Sequence, residues 1–118
     1  MRADSASNTA HGKKSPCPTL FPWELARLLR SGEDVALVDV RKARMFAKGH
    51  LPGALSAPFD QMGIDQLVER LPNKDQPVVV YCYVGVLSKD YARALTQLGY
   101  ARAYSLTWGF PTCKLWVR

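Results

Sequence analysis

Long apolar runs are missing from this sequence. None of its apolar stretches approaches the roughly 18 residues that cross a membrane. The first sixteen residues also lack the apolar segment of a secretory signal, although they contain Arg2, Lys13 and Lys14. We therefore expect a cytoplasmic protein that does not associate with membranes.

Cysteine and histidine are scarce. The three cysteines, Cys17, Cys82 and Cys113, include no Cys-x-x-Cys pair. An odd number of cysteines without a signal peptide argues against a disulfide framework. His11 and His50 do not complete a zinc site at these spacings. We therefore predict no metal, and each cysteine is either an inert packing residue or a reactive thiol.

Negative charge is also in short supply, since 10 acidic residues face 16 basic ones and leave a net charge of +6. The basic residues are scattered, and their tightest cluster lies at residues 41–48. Nucleic-acid-binding domains concentrate such residues on one face. We therefore predict no nucleic-acid binding, and favour a positive field that attracts a small anion or an acidic partner protein.

The 118 residues fit one domain. Hydrophobic residues make up 47% of the chain and charged residues 22%, which is typical of a globular domain with a single core. Residues 1–18 are polar and rich in Ser, Ala and Asn, so we predict a flexible tail there. Residues 19–118 are then the folded domain, without a repeat or linker that would indicate a second one.

Predicted strands and helices alternate along this domain. Apolar runs predict strands at residues 35–38, 54–56, 78–81 and 101–106, and amphipathic spacing predicts helices at residues 19–30, 41–47, 65–71 and 88–98. We expect Ser88 to cap the last helix, with a buried face formed by Tyr91, Ala94, Leu95 and Leu98. This order predicts an α/β fold, with a mainly parallel sheet of four to five strands and helices on both faces.

The stretch around Cys82 carries the main functional prediction. The strand at residues 78–81 leads directly into Cys82, and a short loop with Gly85 follows before the helix that begins at Ser88. Inward-pointing N–H groups of such a loop, together with a helix N-terminus, lower the pKa of a thiol and hold an anion beside it. We therefore predict that Cys82 is a nucleophile in an anion-binding loop formed by Tyr83, Val84, Gly85, Val86, Leu87 and Ser88.

Other polar residues are expected at the same edge of the sheet. Asp39 and Arg41 follow the strand at residues 35–38, and ligands of open parallel sheets bind at the carboxyl ends of the strands. Arg41 is a candidate to bind an anion, as is Lys89 beyond the loop. Asp39 is either a catalytic base or a structural acceptor that pairs with Arg41, and we favour the second role.

Four segments of the chain match a known pattern. They are Val38-Asp-Val-Arg41, Phe46-Ala-Lys-Gly-His-Leu-Pro-Gly-Ala54, Val79-Val-Tyr-Cys82 with Gly85 and Ser88, and Ala94-Leu-Thr-Gln-Leu-Gly-Tyr100. In this order and spacing, over residues 19–109, the sequence resembles the single-domain rhodaneses. The resemblance implies a three-layer rhodanese-like fold and a sulfurtransferase. Such an enzyme takes sulfane sulfur from thiosulfate or a protein persulfide as a persulfide, here on Cys82, and passes it to a thiol or cyanide without a cofactor.

The sequence departs from that family at four places. Leu87 stands where the family loop commonly has Arg, Met45 where Glu is frequent, and Trp108-Gly109 in place of a late Gly-Gly pair. The chain also stops at Arg118, before the family's terminal helix and closing segment are complete. The absent loop charge motivates a second hypothesis, a sulfur-relay or regulatory binding module with little thiosulfate activity. Lys89, Arg41 or Arg44 are the candidates to replace that charge.

Several residues have a plainer interpretation beside a functional one. Phosphatases of related fold need Arg six residues after the cysteine, and Ser88 occupies that position, so we disfavour phosphatase or arsenate-reductase chemistry. We interpret His50 as a hydrogen-bonded turn residue and Cys17 and Cys113 as inert, although Cys113 could resolve a Cys82 persulfide if the two were close enough for a disulfide. Packing rather than a pocket wall is the favoured role of Trp108, Phe110 and Trp116.

Overall fold

Five strands and five helices alternate along residues 18–113, the part of the chain that this computed structural model describes. The strands are β1 (Thr19–Leu20), β2 (Ala36–Asp39), β3 (Leu55–Ser56), β4 (Val78–Tyr81) and β5 (Ala103–Leu106). The helices are α1 (Pro22–Arg30), α2 (Ala43–Lys48), α3 (Ile64–Glu69), α4 (Leu87–Gln97) and α5 (Gly109–Cys113). Residues 1–17 of the tail predicted at residues 1–18, and the last five residues, lie outside the described part.

The five strands form one parallel sheet in the order β1-β5-β4-β2-β3. The central strand β4 pairs with β2 and β5, and the register sets Asp39 opposite Tyr81. The last residues of β2 and β4 are therefore side by side. This arrangement confirms the predicted α/β fold with a parallel sheet of four to five strands.

Helices cover both faces of the sheet because its strands are apolar on both sides. On one face Val78 and Val80 pack with Leu67 of α3 and Leu95 of α4. On the other face, Val79 belongs to a second cluster that includes residues of α1 and α5, namely Leu25, Ala26 and Cys113. Buried parallel strands read as continuous apolar runs for this reason, and β4 is such a run. The three-layer prediction is thus confirmed.

The start of the domain differs from the sequence prediction. A helix was expected from residue 19, but Thr19 and Leu20 form β1, which pairs with Ser105 and Leu106 at the edge of the sheet. Helix α1 begins only at Pro22, a position where proline suits a first turn. The prediction of the helix start was wrong because a two-residue strand shows no periodicity that would distinguish it.

Helix α4 also corrects two predictions. It begins at Leu87 with Val86 at the N-cap, so Ser88 lies inside the first turn and is not the cap. Its buried residues are Ser88, Ala92 and Leu95, at helical spacing. Leu98 was expected on this face, but it follows the helix and is 42% exposed.

Residues 109–113 form the short helix α5, which is not among the predicted helices. Pro111 lies early in this helix, where a missing backbone N–H costs no helical hydrogen bond. No helix within residues 18–113 has the length and apolar character needed to span a bilayer. Trp116 and Cys17 lie outside the described residues, so their predicted roles stay predictions.

Candidate active site

Cys82 lies directly after the central strand β4, at the edge of the sheet where the strands end. Its side chain forms part of the wall of a cavity of about 440 Å³. Only 5% of the residue is exposed. The sulfur is therefore recessed but reachable from this cavity, which is the geometry that a nucleophilic thiol needs.

Hydrogen bonds converge on the Cys82 sulfur. The Gly85 backbone N–H donates to Sγ at 3.2 Å. The thiol in turn donates to the Ser88 hydroxyl at 3.6 Å, and the same hydroxyl bonds the Ser105 hydroxyl at 2.7 Å. When the thiol is ionised, the Ser88 hydroxyl donates its proton to the sulfur, and the Ser105 hydroxyl then donates to Ser88. Cys82, Ser88 and Ser105 are all buried.

The pKa of Cys82 is lowered in spite of burial. Burial raises it, but the Ser88 hydroxyl and the backbone N–H groups of Ser88, Gly85 and Val84 stabilise the thiolate and outweigh burial. Cys113 provides the contrast, since burial alone raises the pKa of its thiol to about 11. Hydrogen bonds from the loop therefore make the Cys82 thiol more acidic than the Cys113 thiol.

Two glycines allow the loop to pack closely against β5 and α5. Gly85 has φ +91°, and a Cβ there would lie 3.2 Å from the Leu106 carbonyl oxygen. Gly109, at the start of α5, has φ +65°, and a Cβ there would lie 2.1 Å from the Tyr83 carbonyl oxygen. Phe110 N–H also donates to the Cys82 carbonyl at 3.1 Å. Helix α5 thus packs against the backbone of the loop and supports it.

Trp108 adopts a left-handed conformation, with φ +70°, immediately before α5. This conformation is costly for a residue with a bulky side chain. Its ring packs edge-on against Phe21 and Trp23, with centroid separations of 5.3 and 5.8 Å. These aromatic contacts offset part of the backbone cost at a position where the resemblance predicted a glycine.

Arg41 and Asp39 form a buried ion pair at the end of β2. The Arg41 guanidinium donates to Asp39 Oδ2 at 2.7 Å and to the Gly49 carbonyl at 2.7 Å, and it lies 4.2 Å from the centre of the Phe110 ring. The pairing of Asp39 with Arg41 that we favoured is therefore present. Arg41 borders the cavity, but its charge is balanced by Asp39.

The remaining predicted residues fall into two groups. Tyr83, Val84, Val86 and Leu87 line the cavity beside Cys82. Lys89 is exposed on α4 and does not belong to the lining. His50 donates a hydrogen bond from Nδ1 to the Phe46 carbonyl, 2.9 Å away, in keeping with the turn role we assigned it.

Sequence reasoning missed four residues of the site. Lys42, Phe59 and Asp90 complete the lining, and Ser105 supports Ser88 from β5. Ser105 is a polar residue in an otherwise apolar strand. This pattern indicates a residue of the site only when the strand register is known. Among the described residues, no group of three or more His, Cys, Asp or Glu side chains is arranged to hold a metal ion.

Comparison with known proteins agrees with this geometry. The family model for the rhodanese-like domain matches residues 22–114. The chain belongs to the rhodanese family. Thiosulfate sulfurtransferase GlpE of Coxiella burnetii is 33% identical over 95 residues, which cover 80% of this chain and 82% of that protein. The same enzyme of Pseudomonas putida is 37% identical over 96 residues, covering 81% and 82%.

A solved structure shares the rhodanese fold and its single-domain size. The human single-domain sulfurtransferase superposes with a TM-score of 0.64 at 28% identity, covering 85% of this chain and 96% of that one. These likenesses confirm the predicted single-domain rhodanese relationship. The chain is an enzyme of the rhodanese sulfurtransferase type.

Proposed function

We propose that Cys82 carries sulfur as a persulfide from a sulfane-sulfur donor, such as thiosulfate or a protein persulfide, to a thiol or cyanide acceptor. The observation that carries this proposal is the set of hydrogen bonds on a recessed thiol at the end of β4. These bonds lower the pKa of Cys82, and the thiolate is the nucleophilic form. The rhodanese relationship supports the same chemistry.

The first half-reaction loads the enzyme. The Cys82 thiolate attacks the outer sulfur of the donor, and a bond forms between Sγ and that sulfur. The bond to the rest of the donor breaks with its electron pair, so thiosulfate leaves as sulfite and a persulfide leaves as a thiolate. No oxidant is consumed, because one sulfur–sulfur bond replaces another. Gly85 and Ser88 hydrogen bonds stabilise the charge on Sγ before the attack.

The second half-reaction unloads the enzyme. An acceptor thiolate or cyanide attacks the outer sulfur of the Cys82 persulfide, and Cys82 departs as a thiolate with the electron pair. The same hydrogen bonds favour this departure, because a thiol with a lower pKa is a better leaving group. The loop residues from Tyr83 to Ser88 are proposed as the persulfide-binding loop.

Mass spectrometry of the intact protein tests the proposal. Incubation with a donor is expected to add about 32 Da, the mass of one sulfur atom, and dithiothreitol should remove it. Cys82→Ala is expected to abolish both the adduct and sulfur transfer. The matched control replaces Cys17 and Cys113 together with alanine and should retain both. An adduct that survives Cys82→Ala would contradict the proposal.

A sulfur-relay or regulatory role is the second candidate, favoured by Leu87. This half-buried side chain lines the cavity where the resemblance predicted an arginine. A relay module would accept sulfur from a protein persulfide, turn over thiosulfate weakly and bind an acidic partner through its net positive charge. Protein persulfide loading together with negligible thiosulfate turnover would support this role. A cytoplasmic location remains a prediction for either candidate.

A further inference from the structure

The cavity beside Cys82 has an apolar wall that the proposed chemistry does not require. Val84 is 61% exposed, Val86 is 69% exposed and Phe59 is 45% exposed, and all three line the cavity with Leu87. Large apolar side chains that remain open to solvent and lie together mark a binding surface. A volume of about 440 Å³ falls within the range of small-molecule sites. The wall therefore fits an organic group.

Two of the three charged side chains that line the cavity lie beside an opposite charge. Arg41 is paired with the buried Asp39, at 2.7 Å. The other two charged residues in the described lining are Lys42 and Asp90, and Asp90 forms an ion pair with Arg93 at 3.5 Å. An inorganic dianion entering this cavity would lose hydration and meet the exposed Lys42 side chain, without a guanidinium at position 87.

We infer that this cavity selects a sulfane-sulfur donor with an apolar organic group over the inorganic dianion thiosulfate. The inference deepens the proposed function and rests on it. The organic group would pack on Phe59, Val84 and Val86, and would place the sulfur at Cys82. Leu87 removes the charge that would favour thiosulfate and adds apolar surface in its place.

Thiosulfonates provide a matched series of donors, because they differ from thiosulfate in one substituent. The Cys82 thiolate attacks the outer sulfur of R–SO₂–S⁻, and the bond between Sγ and that sulfur forms. The sulfur–sulfur bond of the donor breaks, and the sulfinate R–SO₂⁻ leaves with the electron pair. Cyanide then removes the transferred sulfur as thiocyanate, which is measured by its iron complex. The electron balance is the same as for thiosulfate.

The experiment compares kcat/KM for thiosulfate, methanethiosulfonate and benzenethiosulfonate. Burial of the phenyl group is expected to raise kcat/KM about tenfold or more above the methyl compound, and both should exceed thiosulfate. Val84→Ser alters an exposed side chain, so folding is not at issue. It should reduce the ratio of the phenyl to the methyl value roughly threefold.

Leu87→Arg tests the charge, and Leu98→Arg is its matched control. Leu98 is an exposed leucine just after α4, so the control makes the same substitution away from the cavity. Leu87→Arg is expected to lower the ratio of the benzenethiosulfonate to the thiosulfate value about tenfold, while Leu98→Arg leaves it unchanged. Taking ratios between variants cancels the intrinsic reactivity of each donor.

The outcomes separate this inference from the proposed function. Loading of Cys82 by every donor without a preference for the phenyl compound would overturn the inference and leave the proposed function standing. Loading by a protein persulfide alone would also overturn it, in favour of the relay role. Absence of a Cys82 adduct with all donors would defeat the proposed function itself. A phenyl preference that declines in Val84→Ser and Leu87→Arg would support the inference.

Discussion

Two buried cysteines of one small domain differ in chemistry because of their immediate neighbours. Cys82 accepts hydrogen bonds from loop donors, and its pKa is lowered although burial acts to raise it. Cys113 packs in the core beside α1, and burial raises its pKa to about 11. In the sequence, only the loop that follows Cys82 indicated that this cysteine differs from Cys113. At the residue scale, hydrogen-bond donors and not exposure account for the difference in pKa between the two thiols.

The hydroxyl of Ser88 is the first target at this scale. Its hydrogen bond makes the largest contribution among those that lower the pKa of Cys82. Ser88→Ala should therefore raise that pKa and reduce the thiolate fraction at neutral pH. The pH profile of Cys82 alkylation by iodoacetamide, followed by peptide mass mapping, should move to higher pH. Ser105→Ala should cause a smaller shift in the same direction, because Ser105 acts through Ser88.

Thr96→Ala is the control for both serine variants. Thr96 lies on the same helix, and its hydroxyl donates to the Ala92 carbonyl at 2.9 Å without contact to the sulfur. Its alkylation profile should match that of the unaltered protein. If Ser88→Ala left the profile where it was, backbone N–H groups alone would account for the lowered pKa.

At the scale of elements, the contact between the loop and α5 fixes where Cys82 points. Gly109→Ala would bring a Cβ to 2.1 Å from the Tyr83 carbonyl oxygen, so the loop or α5 must move. We expect a loss of more than about 3 kcal/mol in the free energy of unfolding, together with loss of sulfur transfer. Urea denaturation followed by tryptophan fluorescence measures the first effect.

Gly63→Ala is the matched substitution for Gly109→Ala. Gly63 has φ −82°, and a Cβ there would meet no atom within 4 Å. This variant should unfold at nearly the same urea concentration as the unaltered protein. Equal stability of the two alanine variants would show that α5 moves readily and does not support the loop.

The same elements show how far sequence reasoning reaches. Strand β4 and the position of Cys82 were predictable, because a fully buried strand is an uninterrupted apolar run followed by a loop glycine. Ser88 was predicted to cap the helix. A serine at the start of a helical pattern does not show in the sequence whether it is the N-cap or an inward-facing residue of the first turn. Phe59 and Asp90 could not be placed, since only the packing of distant segments brings them to the cavity. Helix α5 was missed because its five residues include Gly and Pro.

At the scale of the whole molecule, the Arg41–Asp39 pair connects several parts of the fold. Arg41 holds the carboxylate at the end of β2, the carbonyl of Gly49 after α2 and the ring of Phe110 in α5. Asp39→Asn would leave the buried guanidinium without its counter-charge. We expect this variant to lose about 3 kcal/mol or more in the free energy of unfolding, measured by urea denaturation.

An exposed ion pair provides the comparison for Asp39→Asn. Glu33 and Arg102 also approach to 2.7 Å, but their side chains are 42% and 39% exposed. Because water screens exposed charges, Glu33→Gln should lower the free energy of unfolding much less than Asp39→Asn does. Similar losses for the two variants would mean that burial of the Arg41–Asp39 pair does not set its importance.

The central position of β4 has a kinetic consequence for the site that follows it. Backbone amides in the middle of a sheet exchange their hydrogens with solvent only through the largest openings of the fold. The three apolar residues Val78, Val79 and Val80 are fully buried there, between β2 and β5. Cys82 is thus attached to the part of the chain that opens least often, and its sulfur is reached through the cavity during the long lifetime of the closed state.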